Sequence, residues 1–188
     1  MVKLRPLRVL FVCTANIARS PYAERRAAQL LTSPTVEVAS AGIPGYPDEE
    51  MDTEMASILR EQGGADAGHL SRRLTWEMIA TADLVLTFEL IQQMRVLDAW
   101  PDEEGKVLGL MQFADALERV GASGHSLADR PTRGPHPLVV EAARAAKPNS
   151  MTWDIADPYG RGAKAARKCA EEIDEVLQRI VPLLADPL

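Results

Sequence analysis

Short, unbroken apolar runs recur along the chain, separated by longer segments with apolar residues at every third or fourth position. LRVLFVC, Leu7–Cys13, is rich in β-branched and bulky residues and ends in a polar loop, as expected of a strand buried on both faces. Residues 36–40, 82–88 and 106–110 repeat that pattern. Residues 21–31 predict a helix, with Ser20 as its N-cap and Pro21 as its first residue, where the missing N–H costs nothing. A Ser-Pro pair at 33–34 stops it. Residues 52–61 have helical spacing and end at Gly63 and Gly64. A short helix opens at Thr75, another covers 89–99, and a last one covers roughly 162–184. Its stripe of Ala166, Cys169, Ile173, Val176 and Ile180 puts Cys169 in the core. Alternating strands and helices predict an α/β fold. The expectation is one domain over residues 1–188, with a central parallel sheet of about four strands and helices on both faces.

Residues 121–148 break the alternation. They are rich in Gly, Pro and Arg, with LVVEAARAA as the one helical piece. The stretch reads as a solvated excursion or lid, and His125 and His136 within it as solvated.

Composition narrows the possibilities. Hydrophobic residues make up 46% and charged residues 26% of the 188 residues, the balance of a soluble globular protein. The formal net charge of −6 argues against a general nucleic-acid or anionic-membrane binder. No apolar run approaches the ~20 residues a membrane helix needs. The basic start, MVKLRPLRVLFVC, is interrupted by Arg8 before a signal-peptide core could form, so the expected location is the cytoplasm. The two cysteines, Cys13 and Cys169, lie far apart and fit a reduced compartment. His, Cys and carboxylates show no metal-ligand spacing, so no metal or other cofactor is expected.

The chemistry concentrates in VCTANIARSP, residues 12–21. The loop from a parallel strand's carboxyl end into a helix is the usual ligand position in such sheets. There the unpaired N–H groups and the helix dipole favour an anion. Thr14, Ala15, Asn16, Ile17 and Ala18 are compact enough to curl their amides inward. Arg19 closes the ring with a planar donor fork suited to phosphate oxygens. Cys13 lies at the bottom of the same field, which favours a thiolate nucleophile.

This run resembles the low-molecular-weight protein tyrosine phosphatases, whose signature is Cys-x5-Arg-Ser-Pro at the first strand–helix junction. The resemblance extends to Ala23 and Glu24, to SAG at 40–42, to the H-x-x-R segment at 69–72, to ADLVLTFE, and to ADPYG at 156–160. It implies hydrolysis of a phosphomonoester, with Cys13 attacking phosphorus to form a phosphocysteine intermediate. Loop amides and Arg19 would hold the oxygens. Asp157 would protonate the leaving group and then activate water. Asn16, Ser20, Ser40 and His69 match positions of a hydrogen-bond network bracing the loop, with Ser20 also assisting the thiolate. Ile17, Tyr46 and Tyr159 would wall the substrate ring, and Ile17 is closer to the tyrosine-specific branch than to the phosphoarginine branch, which carries threonine there. The implied partner is a phosphotyrosine-containing protein, at family level a tyrosine-autophosphorylating kinase.

Three positions depart from the pattern. Ala15 replaces a common glycine, Ala18 replaces a second loop cysteine, and Gly160 replaces a second tyrosine. An arsenate reductase using an external thiol and a non-catalytic phosphotyrosine-binding module remain as alternatives.

Overall fold

The computed structural model describes residues 6–31, 34–122 and 136–185. Four parallel strands form one sheet in the order β2-β1-β3-β4: β1 is Leu7–Cys13, β2 Val36–Gly42, β3 Leu84–Thr87 and β4 Val107–Gly109. β1 lies between β2 and β3, so the order reverses beside it. The carboxyl end of β1 therefore opens the crevice where parallel sheets bind ligands. The register brings Cys13 opposite Gly42 and Val12 opposite Thr87, gathering three strand ends at one edge.

The alternation along β1 sorts its side chains to two cores. Leu7, Val9, Phe11 and Cys13 join the larger cluster, whereas Leu10 and Val12 join the smaller. The larger core is covered by α1 (Arg19–Leu30), α2 (Thr53–Glu61) and the long terminal helix α7 (Ala163–Ala185). The smaller one lies under α3 (Trp76–Thr81) and α4 (Leu90–Ala99), through Ile79 and Val96. The sheet is thus covered on both faces, and Cys169 sits buried in the apolar stripe of α7. Among the described residues, no helix is long and apolar enough to cross a membrane.

Three local expectations are corrected. Ser20 is not the N-cap: α1 begins two residues earlier than expected, Ala18 holds the cap position, and Pro21 falls within the first turn. A helix not anticipated from the sequence, α5 (Leu110–Ala122), follows β4 directly and buries Leu110, Phe113, Ala114 and Leu117. The solvated reading also fails for residues 137–145, which form α6 (Pro137–Ala145). Its Leu138, Val139 and Ala142 are buried in the larger core, and His136 at its start is half-buried. Burying one such aliphatic side chain contributes about 1.5–3 kcal/mol, enough to hold a polar-flanked helix down. His125 lies outside the described residues.

Candidate active site

Cys13 ends β1, and the chain then wraps back over its sulfur. The Asn16 N–H donates to Cys13 Sγ at 3.3 Å, and Ser20 Oγ lies 3.0 Å from the same atom. Ser20 is therefore turned toward the thiol instead of capping the helix. Asn16 makes the turn possible with a left-handed backbone, φ 62°, which asparagine tolerates better than most residues. Ala15 does not need that conformation: among described non-glycine residues only Asn16 and Asp48 have positive φ. The Ala-for-Gly departure is thus compatible with the loop.

The turn is braced from behind. Asn16 Nδ2 donates to Ser20 Oγ at 3.0 Å and to Ser40 Oγ at 2.9 Å, while its Oδ1 accepts the Arg72 N–H at 2.9 Å. The Asn16 carbonyl accepts a hydrogen bond from His69 Nε2 at 2.9 Å, which fixes that nitrogen as the protonated one. Burial pushes the His69 pKa down; the Asn16 carbonyl and Glu24 pull the other way without reversing it. Ser40 Oγ in turn donates to Glu24 Oε2 at 2.5 Å. Gly42 explains the SAG segment: a Cβ there would stand 2.8–2.9 Å from backbone atoms of Thr14, Ala15 and Asn16. Only glycine lets the end of β2 slide beneath the loop.

Arg19 is 1% exposed at the start of α1. Its Nη1 meets Glu89 Oε2 at 2.7 Å and donates to the Ile155 carbonyl at 2.9 Å, and its Nη2 meets Asp157 Oδ2 at 3.0 Å. Among the described residues its buried Nε–H has no hydrogen-bond partner. Burial alone would weaken the cation, but Cys13, Asp157 and Glu89 together hold its pKa above the ordinary arginine value. The site therefore keeps a fixed positive charge.

Asp157 comes from the opposite side on a segment pinned to α4. The Ile155 N–H donates to the Phe88 carbonyl at 2.9 Å, and the Leu90 N–H to Asp154 Oδ1 at 2.7 Å. Asp157 is itself partly exposed, and its Oδ1 accepts the Tyr159 N–H at 3.3 Å.

A cavity of about 420 Å³ joins these groups. Cys13, Arg19 and Asp157 line it together with Thr14, Ala15, Ile17 and Ala18. Tyr46 and Tyr159, 56% and 61% exposed, line it as well. Asn16, Ser20, Ser40 and His69 are buried and form the brace behind the loop. Sequence reasoning missed Glu89, the ion-pair partner of Arg19, and Glu49, a further lining residue. Glu89 stood inside the ADLVLTFE segment but read as a helix start, because its partner is distant in sequence. Among the described residues, no group of three or more His, Cys, Asp or Glu could hold a metal ion.

The family profile of the low molecular weight phosphotyrosine protein phosphatases matches residues 8–124. The chain belongs to this family. As a member it is a cysteine-dependent, metal-independent phosphatase, with Cys13 as the catalytic cysteine in the loop after β1. It is similar to the low molecular weight protein-tyrosine-phosphatase Etp of Escherichia coli K12, at 35% identity over 118 residues, covering 63% of this chain and 78% of that one. A protein-arginine-phosphatase of Geobacillus stearothermophilus is 29% identical over 182 residues, covering 95% of this chain and 97% of the relative. The solved YwlE arginine phosphatase from that organism superposes with a TM-score of 0.71 at 28% identity, over 95% of this chain and 93% of the other.

Proposed function

We propose that this phosphatase hydrolyses phosphotyrosine in proteins through a phosphocysteine on Cys13. A bound phosphate dianion would take the uncommitted Nε–H of Arg19, leaving Asp157 to face the leaving oxygen. The Cys13 thiolate attacks phosphorus, the S–P bond forms, and the aryl oxygen departs with the proton of Asp157. Arg19 and the loop amides hold the equatorial oxygens as charge redistributes. Asp157, now a carboxylate, removes a proton from the water that attacks phosphorus. Inorganic phosphate and the free thiolate result.

One observation carries this reading: the Cys13 thiol, the buried Arg19 and the Asp157 carboxylate line a single cavity. Supporting the aryl preference, Ile17, Tyr46 and Tyr159 give that cavity apolar and aromatic sides. The phosphorylated partner would be a cytoplasmic tyrosine-autophosphorylating kinase, with no nucleic acid or membrane involved.

Phosphoarginine is the second reading, favoured by the likeness to an arginine phosphatase over nearly the whole chain. Against it, a guanidinium leaving group brings several N–H donors, and the Ile17 side chain can accept none of them. Initial rates on matched phosphotyrosine and phosphoarginine peptides decide between the two. A higher kcat/KM on phosphotyrosine, narrowed in Ile17→Thr, is expected; a higher value on phosphoarginine would overturn the aryl assignment. An arsenate reductase that relays a disulfide within the chain is disfavoured, because the second thiol, Cys169, is buried in the core and burial pushes it up to about 12. A reductase using an external thiol does not involve Cys169; arsenate-dependent oxidation of an added small thiol would favour it, and phosphotyrosine binding without turnover would favour the silent module.

A further inference from the structure

The geometry points to Gln92 as a positioning residue, whose side-chain amide fixes the Arg19 guanidinium relative to the phosphate loop. It rests on the proposed use of Arg19 as the phosphate clamp. Gln92 lies in the first turn of α4 and is fully buried. Its one amide group meets four polar atoms. Oε1 accepts the Phe88 N–H at 2.9 Å and the Glu89 N–H at 3.1 Å. Nε2 donates to Thr14 Oγ1 at 3.1 Å and to Glu89 Oε2 at 2.6 Å. Two donors on one side and two acceptors on the other settle which end is oxygen and which nitrogen.

The two halves do different work. The Oε1 half satisfies backbone donors where β3 turns into α4, as any helix-start side chain would do. The Nε2 half has no such duty. It joins the second residue of the phosphate loop to the same Glu89 oxygen that receives Arg19 Nη1 at 2.7 Å. A continuous path therefore runs from Thr14 through Gln92 and Glu89 to Arg19. Glu89 can approach Arg19 along many directions; the Gln92 donor selects one, and the Thr14 contact ties that choice to the loop. A carboxylate oxygen shared by an amide and a guanidinium forms charge-assisted hydrogen bonds, among the stronger ones in proteins.

Gln92→Glu separates the halves. It keeps an oxygen for the two backbone donors but replaces the amide donor with a carboxylate facing Glu89. Glu89 is pushed from its place, and Arg19 loses that ion pair, keeping only the Ile155 carbonyl and Asp157. Protonating the new carboxyl restores an O–H donor in the same position. With p-nitrophenyl phosphate, kcat of the variant should fall roughly tenfold or more near neutral pH. The ratio of variant to parent should climb as pH falls, and KM should change less than kcat. A merely structural capping role gives no such pH-dependent ratio. Should Gln92→Glu fail to fold, Gln92→Leu and Thr14→Val, alone and combined, give a double-mutant cycle. Losses in kcat that are less than additive support the shared path. A pH-independent ratio, or additive losses, overturns the assignment while an active parent leaves the proposed function standing. An inactive parent contradicts the function reading instead.

Discussion

The two cysteines of this chain are almost equally buried, Cys13 at 2% and Cys169 at 3% exposure, and both touch the larger core. Their surroundings differ in kind. Cys13 Sγ has a backbone N–H directed at it, the Ser20 hydroxyl 3.0 Å away, and a buried guanidinium in the same cavity. Cys169 lies in the stripe of α7 near Ala166, Ala170 and Ile173, where burial pushes the thiol up to about 12. Burial therefore does not decide reactivity. Directed donors do, and they come from a strand-to-helix loop whose backbone has no helical partners.

The sharpest way to break that contrast is to exchange the sulfur at each place. Cys13→Ser should abolish turnover of p-nitrophenyl phosphate while retaining inorganic phosphate binding by calorimetry, since Arg19 and the loop amides remain. Turnover surviving in that variant would remove Cys13 from the chemistry. Asp157→Ala comes next, with a loss of ~10²–10⁴ in rate against substrates with poor leaving groups and little change in KM. A shift in KM alone would make Asp157 a binding residue.

His69 tests the brace through stability. Its pKa is lowered in the folded state, so as pH falls through the ordinary value of about 6.5 the unfolded chain takes up the proton first. Stability associated with His69 is present above that pH and lost progressively below it. Denaturant midpoints measured at neutral and mildly acidic pH should therefore fall more in the parent than in His69→Gln. Equal falls would detach the imidazole from the fold's acid sensitivity. The smallest expected effect belongs to Cys169→Ala: unaltered kcat and a stability loss of about 1 kcal/mol. A marked loss of activity there would show that the α7 thiol takes part.

The catalytic loop was the most legible part of the sequence. Nucleophile, amide-bearing turn, arginine and helix start are consecutive, so their joint chemistry is local. Asp157 was legible only by resemblance, because an Asp-Pro pair alone reads as a turn. Glu89 and Gln92 escaped because their partners, Arg19 and Thr14, are reached only through the register of β1 with β3. The error at Ser20 arose from a local capping preference that lost to the nearby sulfur. At α6 the polar flanks hid Leu138, Val139 and Ala142, whose burial depends on where the larger core lies. Helix α5 did carry a signal, in the helical spacing of Leu110, Phe113, Ala114 and Leu117.

Catalysis by this phosphatase runs through the sulfur of Cys13. Rapid acid quench of Asp157→Ala with p-nitrophenyl phosphate, followed by peptide mass spectrometry, reads it directly. A phosphoryl group is expected on the Cys13 peptide, accumulating because the water that should remove it is no longer activated. Product formed with Cys13 unmodified throughout, or phosphate found on Cys169, would contradict it.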